Sequence, residues 1–447
     1  MSDVTWTQQP RRLAWGRIAA GPHRVARPRF ADQLPDLFGQ GAADPNGLIV
    51  VGAGRSYDIS ALNPGGSLID ATGLDNLIAF DPATGILRAD AGVTLDQLLA
   101  VTVPRGWFTA TTPGTRFVTL GGAVANDVHG KNHHSAGTFG RSVRRIGLIR
   151  SDRGALELAP NLEPDLFAAT IGGLGMTGAI AWVEIQLSAI ASSDMLQEAV
   201  PFGDLDGFFD LAAESAGSFE HTAAWIDCTA SGKAIGRGVF QRGNWAGDGP
   251  LEAHGGGPKL TLPVAPPISP LNPLTLKAFN TAYGALQGSK KGLRRVPYAP
   301  ALYPLDAVGG WNKFYGPNGF RQYQFVVPTP VAKMAVREAL SQIVRAGEGS
   351  FLAVLKTFGD KSSPGLISFP MSGATLALDF PNRGRKTLDL FDRLDAVVDA
   401  AGGRLYPAKD GRIPTAMFHC GYSASRQWIE HHDPAMASGF WRRVTST

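Results

Sequence analysis

Residues 112–134 read TPGTRFVTLGGAVANDVHGKNHH, a stretch dense in groups that do chemistry. Pro113-Gly114 forms a turn, Gly121-Gly122 follow Thr119-Leu120, and the stretch closes on His129, Lys131, His133 and His134. Glycines let backbone N–H groups come close to a ligand, and such groups suit a pyrophosphate. Imidazoles and an ammonium this close together are costly to bury without partners. Three histidines in six residues invite a zinc reading, but no acid or cysteine stands at ligand spacing, and no metal is expected. His133 and His134 read as structural. Taken alone, the stretch is also compatible with a Gly-rich turn and a solvated loop, because short glycine motifs are weak evidence.

Two more Gly-rich turns change that balance. Residues 47–51 read as a short buried strand running into Gly52-Ala53-Gly54-Arg55-Ser56-Tyr57-Asp58, a second candidate phosphate cradle. It is no Rossmann fingerprint, since G-x-G-x-x-G before a helix with a distant acid is absent. Residues 172–178, GGLGMTG, form a third such turn. Further along, Gln322 and Gln324 lie two apart on a strand and share a face. Their amides suit either solvent or sugar hydroxyls. Lys356 shares a strand face with Leu352 and Val354, where a lysine either snorkels to water or serves as a cavity cation. Lys409, in PAKDGR, reads on its own as a surface turn residue. Trp225 suits a core as well as a cavity wall.

The elements that must position these groups follow from composition and period. A chain of 447 residues, 44% apolar and 18% charged, exceeds one ordinary core, so two domains are expected. A formal charge of +4 without a basic stripe gives no case for nucleic acid. The two cysteines, Cys228 and Cys420, are too sparse for a disulfide scaffold. No apolar run is long enough to span a bilayer, and the N-terminus lacks an apolar signal segment, so a cytoplasmic protein is expected. Peripheral contact with the inner membrane needs only a surface patch. Ser67–Asp70 and Ile86–Asp90 read as paired strands around the turn at residues 81–85. Thr94-Leu95-Asp96-Gln97 has capping-box form and opens a helix with Leu95, Leu98 and Leu99 on one face. Residues 144–149 and 155–158 read as a hairpin, 164–170 as a helix and 181–187 as a strand.

Composition shifts near residue 190. Residues 250–273 hold many prolines and read as a loop; Leu260, Leu262, Val264 and Ile268 make it a candidate lid or lipid contact. After it the periods give strand 322–327, helix 331–346, strand 351–358, strand 375–380, helix 387–401 and strand 404–406. That order, β-α-β-β-α-β, is the ferredoxin-like pattern, with an antiparallel sheet.

Three Gly-rich turns spread over this much chain, with hairpins and short helices between, resemble the vanillyl-alcohol oxidase or PCMH type of FAD-binding fold. The resemblance implies an α+β protein: a two-subdomain FAD-binding domain (1–190), a substrate-binding cap with an antiparallel sheet (191–403) and a C-terminal segment (404–447) returning to the FAD domain. HGKNHHSAGTFG, FRQYQFVVP, WNKFYGPNGF, LDFP and GGRLYPAKDGR are similar to the oxidase components of decaprenylphosphoryl-β-D-ribose 2′-epimerases. That family implies an FAD-dependent oxidoreductase that oxidises the 2′-hydroxyl of a polyprenyl-phosphoryl ribose to a ketone. A short-chain NAD(P)-dependent reductase is the implied partner.

Carried onto this sequence, Val51, Gly52, Ala53, Gly54, Arg55, Ser56 and Tyr57 wrap the flavin pyrophosphate. Gly114, Thr119, Leu120, Gly121, Gly122, Asn126, Asp127, Val128, His129, Ile180 and Tyr406 line the flavin. Lys131, Gln322, Gln324, Lys356, Lys409 and Trp225 surround the substrate, and Lys409, Tyr57 and His129 are the candidate bases. The first Gly-rich turn lacks the histidine that tethers flavin in many members, so the FAD is expected to be non-covalent. Departures fall mostly on the cavity: Ala377 replaces a cysteine, Thr375 an asparagine and Leu302 a tyrosine, while Asp58 replaces a glycine. They keep another sugar or alditol open as substrate. A flavin-bound protein without turnover, or a nucleotide-binding module without flavin, are the readings outside this chemistry.

Overall fold

The computed structural model describes residues 4–254, 257–267, 269–290, 292–409 and 412–446. Helices and strands are mixed throughout. The first sheet contains β1 (Thr7–Leu13), β2 (Ala20–Ala26), β3 (Leu48–Val51) and β4 (Ser67–Asp70), in the order β1-β2-β4-β3, with α1 (Leu34–Ala42) against it. β3 and β4 run parallel, and Leu48, Ile49, Val51, Leu68 and Ile69 are buried. Continuous apolar runs such as LIVV are what a strand covered on both faces requires.

The second sheet follows from β5 (Leu77–Asp81), β6 (Ile86–Asp90), α2 (Leu95–Thr102), β7 (Trp107–Thr109), α3 (Leu120–Ala125), α4 (His133–Ala136), β8 (Val143–Arg150), β9 (Gly154–Leu158), α5 (Pro164–Thr170) and β10 (Ala179–Ala189). Its order is β5-β6-β10-β8-β9, with β7 also on β10. The expected pairing of Ser67–Asp70 with Ile86–Asp90 is corrected here. β6 pairs with β5 across the 81–85 turn, while β4 belongs to the first sheet. β5 is a largely exposed edge strand with no apolar alternation to announce it. α2 does begin in a capping box: Thr94 Oγ1 accepts from Gln97 N at 3.2 Å, and Gln97 Oε1 accepts from Thr94 N at 2.8 Å.

The third sheet has eight strands. Its elements are β11 (Asp194–Phe202), α6 (Leu205–Ser215), β12 (His221–Ile226), β13 (Gly238–Trp245), β14 (Leu260–Thr261), α7 (Pro273–Gly288), β15 (Arg294–Pro297), α8 (Tyr298–Leu302), β16 (Val308–Gly309), β17 (Phe320–Pro328), α9 (Ala332–Arg345), β18 (Ala353–Phe358), β19 (Gly373–Pro381), α10 (Arg385–Ala400) and β20 (Arg404–Leu405). β14 and β16 stand apart as a two-stranded parallel pair. The remaining order, β15-β11-β13-β12-β18-β19-β17-β20, contains the same strand sequence twice, mirrored about the β12–β18 joint. Each half runs β-α-β-β-α-β along the chain. The repeat is invisible as sequence identity.

The halves differ in one helix. Successive residues of a strand face opposite ways. On β12, Ala224 packs in the core that holds Leu205 and Phe208 of α6, while the Trp225 ring meets Tyr283 of α7 at 5.0 Å. α6 and α7 therefore lie on opposite faces of the sheet. α9 and α10 join α6 in one core through Val336, Leu340, Leu390, Phe391 and Leu394. β20 closes the large sheet, and the helices after it return to the first sheet, where Leu48 N donates to Ala435 O at 2.8 Å. Cys228 is buried and Cys420 exposed, both as free thiols. No helix among the described residues is long and apolar enough to cross a membrane.

Candidate active site

A cavity of about 560 Å³ lies between the three Gly-rich turns and the face of the large sheet opposite α6, α9 and α10. β3 ends in the first turn, and residues 51–57 line the cavity. Gly52 allows a close approach there, since a Cβ would fall 2.0 Å from Thr119 Oγ1. Thr119 Oγ1 is already engaged, capping α3 by accepting from Gly122 N at 3.2 Å. At Gly54, Gly114 and Gly175 a Cβ would meet nothing within 4 Å, so bare peptide faces open space. Bare peptide edges on three turns are what an extended, anionic dinucleotide needs. Arg55 stacks on Trp15 at 4.1 Å, with Asp306 as counter-charge.

Of the cofactor residues expected from sequence, all but Leu120 and Asp127 line this cavity. Leu120 is fully buried in the core beneath the second sheet. Asp127 is fully buried too, and its carboxylate accepts from Gly140 N at 2.7 Å and from the hydroxyls of Ser363 and Ser368 at 2.5 Å each. Its backbone holds φ at 38°, rarely adopted by residues other than glycine. Asp127 thus ties the loop after α3 to residues 363–368.

His129 lies in an aromatic box, with ring centroids 4.9 Å from Phe358, 5.5 Å from Phe369 and 5.4 Å from Tyr406. The Gln324 amide donates to Nε2 at 3.0 Å. Burial, then Lys356, His133 and Lys409, hold its pKa well below the ordinary histidine value. A neutral ring that accepts at Nε2 carries its proton on Nδ1. That N–H is buried with no partner among the described residues. His133 is also held neutral, down to about 3, mainly by burial, and neither ring nitrogen has a partner among the described residues. His134 Nε2 donates to Phe219 O at 2.8 Å, while its Nδ1 has no partner among the described residues. Among the described residues no three His, Cys, Asp or Glu side chains converge as a metal site.

Lys131, Lys356 and Lys409 all line the cavity. Lys131 donates to Ala301 O at 2.7 Å, and burial brings it to about 8. Burial, with Lys131 and Lys409 beside it, brings Lys356 to about 7. Burial lowers Lys409 to about 8 against the pull of Asp379. Its ammonium sits 4.2 Å over the Tyr57 ring. Gln322 Nε2 donates to Asp379 Oδ1 at 2.6 Å and to Tyr57 Oη at 3.3 Å. Burial raises Asp379 to about 7, and burial with Asp379 pushes Tyr57 well above its usual value, so Tyr57 is a neutral phenol. The sequence reading missed Asp379. Its signal was period: Thr375, Ala377 and Asp379 alternate on β19, opposite Val326, Gln324 and Gln322 of β17. Trp225, Tyr283, Phe279 and Phe351 add an aromatic wall, with Trp225 Nε1 donating to Phe351 O at 3.0 Å.

Comparison with known proteins now bears on this geometry. Residues 22–159 match the FAD binding domain family model. The chain is 36% identical to decaprenylphosphoryl-β-D-ribose oxidase of Mycolicibacterium smegmatis, over 98% of each chain. It is 31% identical to an uncharacterized protein in the mprA 5′ region of Streptomyces coelicolor, over 72% of this chain and 90% of that one. It is 27% identical to L-gulono-1,4-lactone dehydrogenase of Mycobacterium tuberculosis, over 42% of this chain and 41% of that one. The open peptide edges and the orphan His129 donor fit FAD, and the chain belongs to the family of FAD-dependent oxidoreductases that includes decaprenylphosphoryl-β-D-ribose oxidase.

Proposed function

We propose that the protein oxidises the 2′-hydroxyl of a polyprenyl-phosphoryl-β-D-ribose to the 2′-keto sugar, the first half of an epimerisation. The observation that carries this reading is the set of three half-buried lysines and two glutamines facing the Gly-rich turns across one cavity. A sugar needs amides and hydroxyl partners; its phosphate needs cations in a place where water screens them little. When bound, FAD supplies the hydride acceptor for an alcohol oxidation. Lys131 and Lys356 hold the phosphate. Gln324 and His129 Nδ1–H orient the ring hydroxyls or the flavin edge. Lys409, near 8 and therefore partly neutral, takes the hydroxyl proton at Nζ. Asp379, reached through Gln322, offsets the positive charge that Lys409 then carries. Tyr57 positions Lys409 beneath its ammonium and is a weaker base, because burial keeps its phenol protonated.

The flavin-binding domain in this reading comprises residues 1–190 and the C-terminal segment 404–447, with residues 191–403 as cap. The FAD is non-covalent, since the first turn offers Arg55 and Ser56 where a tether would need a histidine. A short-chain NAD(P)-dependent reductase consumes the ketone. The test is anaerobic flavin bleaching against a panel of polyprenyl-phosphoryl ribose, free pentoses and alditols. Bleaching only by the lipid-linked ribose supports the proposal. Bleaching by a free pentose or alditol selects the second reading, an oxidase of another sugar, which Leu302 and Ala377 on the cavity wall favour. No bleaching by any leaves a flavin protein without this turnover.

A further inference from the structure

The described residues expose thirteen large apolar side chains to more than a third, and eight of them fall between Leu251 and Phe314. Leu274 is 81% exposed, Val264 71%, Leu260 64%, Leu286 60% and Leu293 59%. Scattered single leucines need no explanation, but a cluster of this kind does. α7 is its centre. The outer face of α7 carries Leu274, Phe279, Leu286 and exposed alanines, and Lys277 is its sole charged residue. A solvent helix would place charges on that face.

Two further observations identify what covers it. First, the charge is almost of one sign. From residue 251 to 314 the sequence has two acids: Glu252, at the edge beside Leu251, and Asp306, buried against Arg116 N. Lys259, Lys277 and Arg294 are exposed and make no ion pair among the described residues. Second, the patch runs into the cavity mouth. Phe279 is 44% exposed and also lines the cavity. It packs edge-on against Phe351 at 5.6 Å, and Phe314, 38% exposed, meets Phe351 at 6.1 Å.

We propose that this face, α7 with the flanking loop around Leu260 and Val264 and the turn at Leu293, docks on an anionic lipid surface and presents the cavity mouth to it. Apolar side chains enter the headgroup region while lysine and arginine stay with the anionic phosphates. This rests on the polyprenyl-phosphate reading only for its purpose. The docking itself is tested without turnover.

The purified flavoprotein is sedimented with vesicles of phosphatidylcholine alone and of phosphatidylcholine mixed equally with phosphatidylglycerol. Co-sedimentation with the anionic vesicles, weakened by salt, is expected. Lys259→Gln with Lys277→Gln should weaken it by about thirtyfold. Leu274→Ser with Leu286→Ser should abolish it while leaving flavin absorbance and melting temperature intact, because those side chains touch water, not core. No sedimentation with anionic vesicles, or unchanged sedimentation of both variants, overturns the proposal. So does a stable dimer, seen by light scattering, that Leu274→Ser with Leu286→Ser dissociates, since a second copy would then be the occupant. Bleaching by a detergent-dispersed lipid-linked ribose reports on the proposed reaction independently, so failure of one leaves the other readable.

Discussion

Replacing Lys356 with methionine should stabilise the folded protein at low pH while removing its grip on substrate. Burial and two neighbouring ammonium groups bring Lys356 from 10.5 to about 7. At about 1.4 kcal/mol per pH unit, that fall corresponds to about 5 kcal/mol of destabilisation when the lysine is protonated in both states. The side chain is only half-buried and faces a cavity that water enters, so screening leaves about 2–3 kcal/mol. Methionine keeps the apolar stem and forgoes a long hydrogen bond from Nζ to Gly130 O at 3.5 Å and a weak contact with the Phe358 ring at 5.8 Å. Between pH 7 and 10.5 the folded state binds fewer protons than the unfolded chain. Wild-type stability therefore rises with pH across that window. The cost of the lysine is full below the folded value and gone above the unfolded one, whereas methionine does not titrate. The variant's advantage should be largest at about pH 6 and smaller by about 1–1.5 kcal/mol at about pH 9. Urea unfolding of both proteins at the two pH values measures this. A variant less stable than wild type at the lower pH, or an advantage independent of pH, would refute the reasoning.

Lys409→Ala should retain bound FAD yet lose flavin reduction by substrate, by about a hundredfold or more in anaerobic stopped flow. Reduction at the normal rate would remove Lys409 from the chemistry. Asp379→Asn removes the carboxylate that pulls Lys409 upward, so the acidic limb, where Lys409 must lose its proton to act as base, should move to lower pH from about 8. The pH profile of flavin reduction reads this, and an unmoved limb counts against the coupling. Asp127→Ala leaves the Gly140 N–H and two serine hydroxyls without their acceptor and should cost about 3 kcal/mol of stability. Isothermal titration should also show weaker FAD binding, and unchanged binding would make Asp127 irrelevant to the cradle. Acid precipitation should leave yellow flavin in the supernatant, and colour in the pellet would mean a covalent tether.

The legible parts of this fold were those where one periodicity acted alone. α9 buries Val336, Leu340 and Ile343 and α10 buries Phe391, Leu394 and Val398, as their spacing implied, while Val344 and Leu388 lie at the margin of their stripes and are half-buried. That the three Gly-rich turns meet at one cavity was legible because glycine's one advantage, a peptide without Cβ, is what close approach to a ligand demands. What escaped has physical causes. β5 faces water on both sides, so no alternation marks it. α7 carries its apolar residues outward, which inverts the usual signal, and the Pro-rich segment before it hid β14. In that segment Leu260 and Val264 are exposed and Leu262 half-buried, and Ile268 lies outside the described residues. Asp379 sits in an apolar run, where an acid looks like a misfit until β17 supplies Gln322 opposite it. Leu120 shares the motif of its glycine neighbours but turns to the core, because consecutive residues of α3 cannot all face one side.

The joint between β12 and β18 is narrow: Ala224 faces Leu355 and Trp225 faces Val354, with no further pairs. On one side of it stand Gln322, Gln324, Lys356 and Ala377; on the other stand Trp225, Phe279 and Tyr283, with Gln241 their one polar companion. In the proposed reaction the two units divide the labour, one keeping the polar groups for the sugar and the other an apolar wall for whatever the sugar is attached to. Few rungs cross the joint, and the two units are held together chiefly by the core that α6 shares with α9 and α10, on the face away from the cavity. A lineage can remodel the wall for a longer, shorter or absent tail and leave the reactive groups in register, or exchange Thr375 and Ala377 and keep the wall.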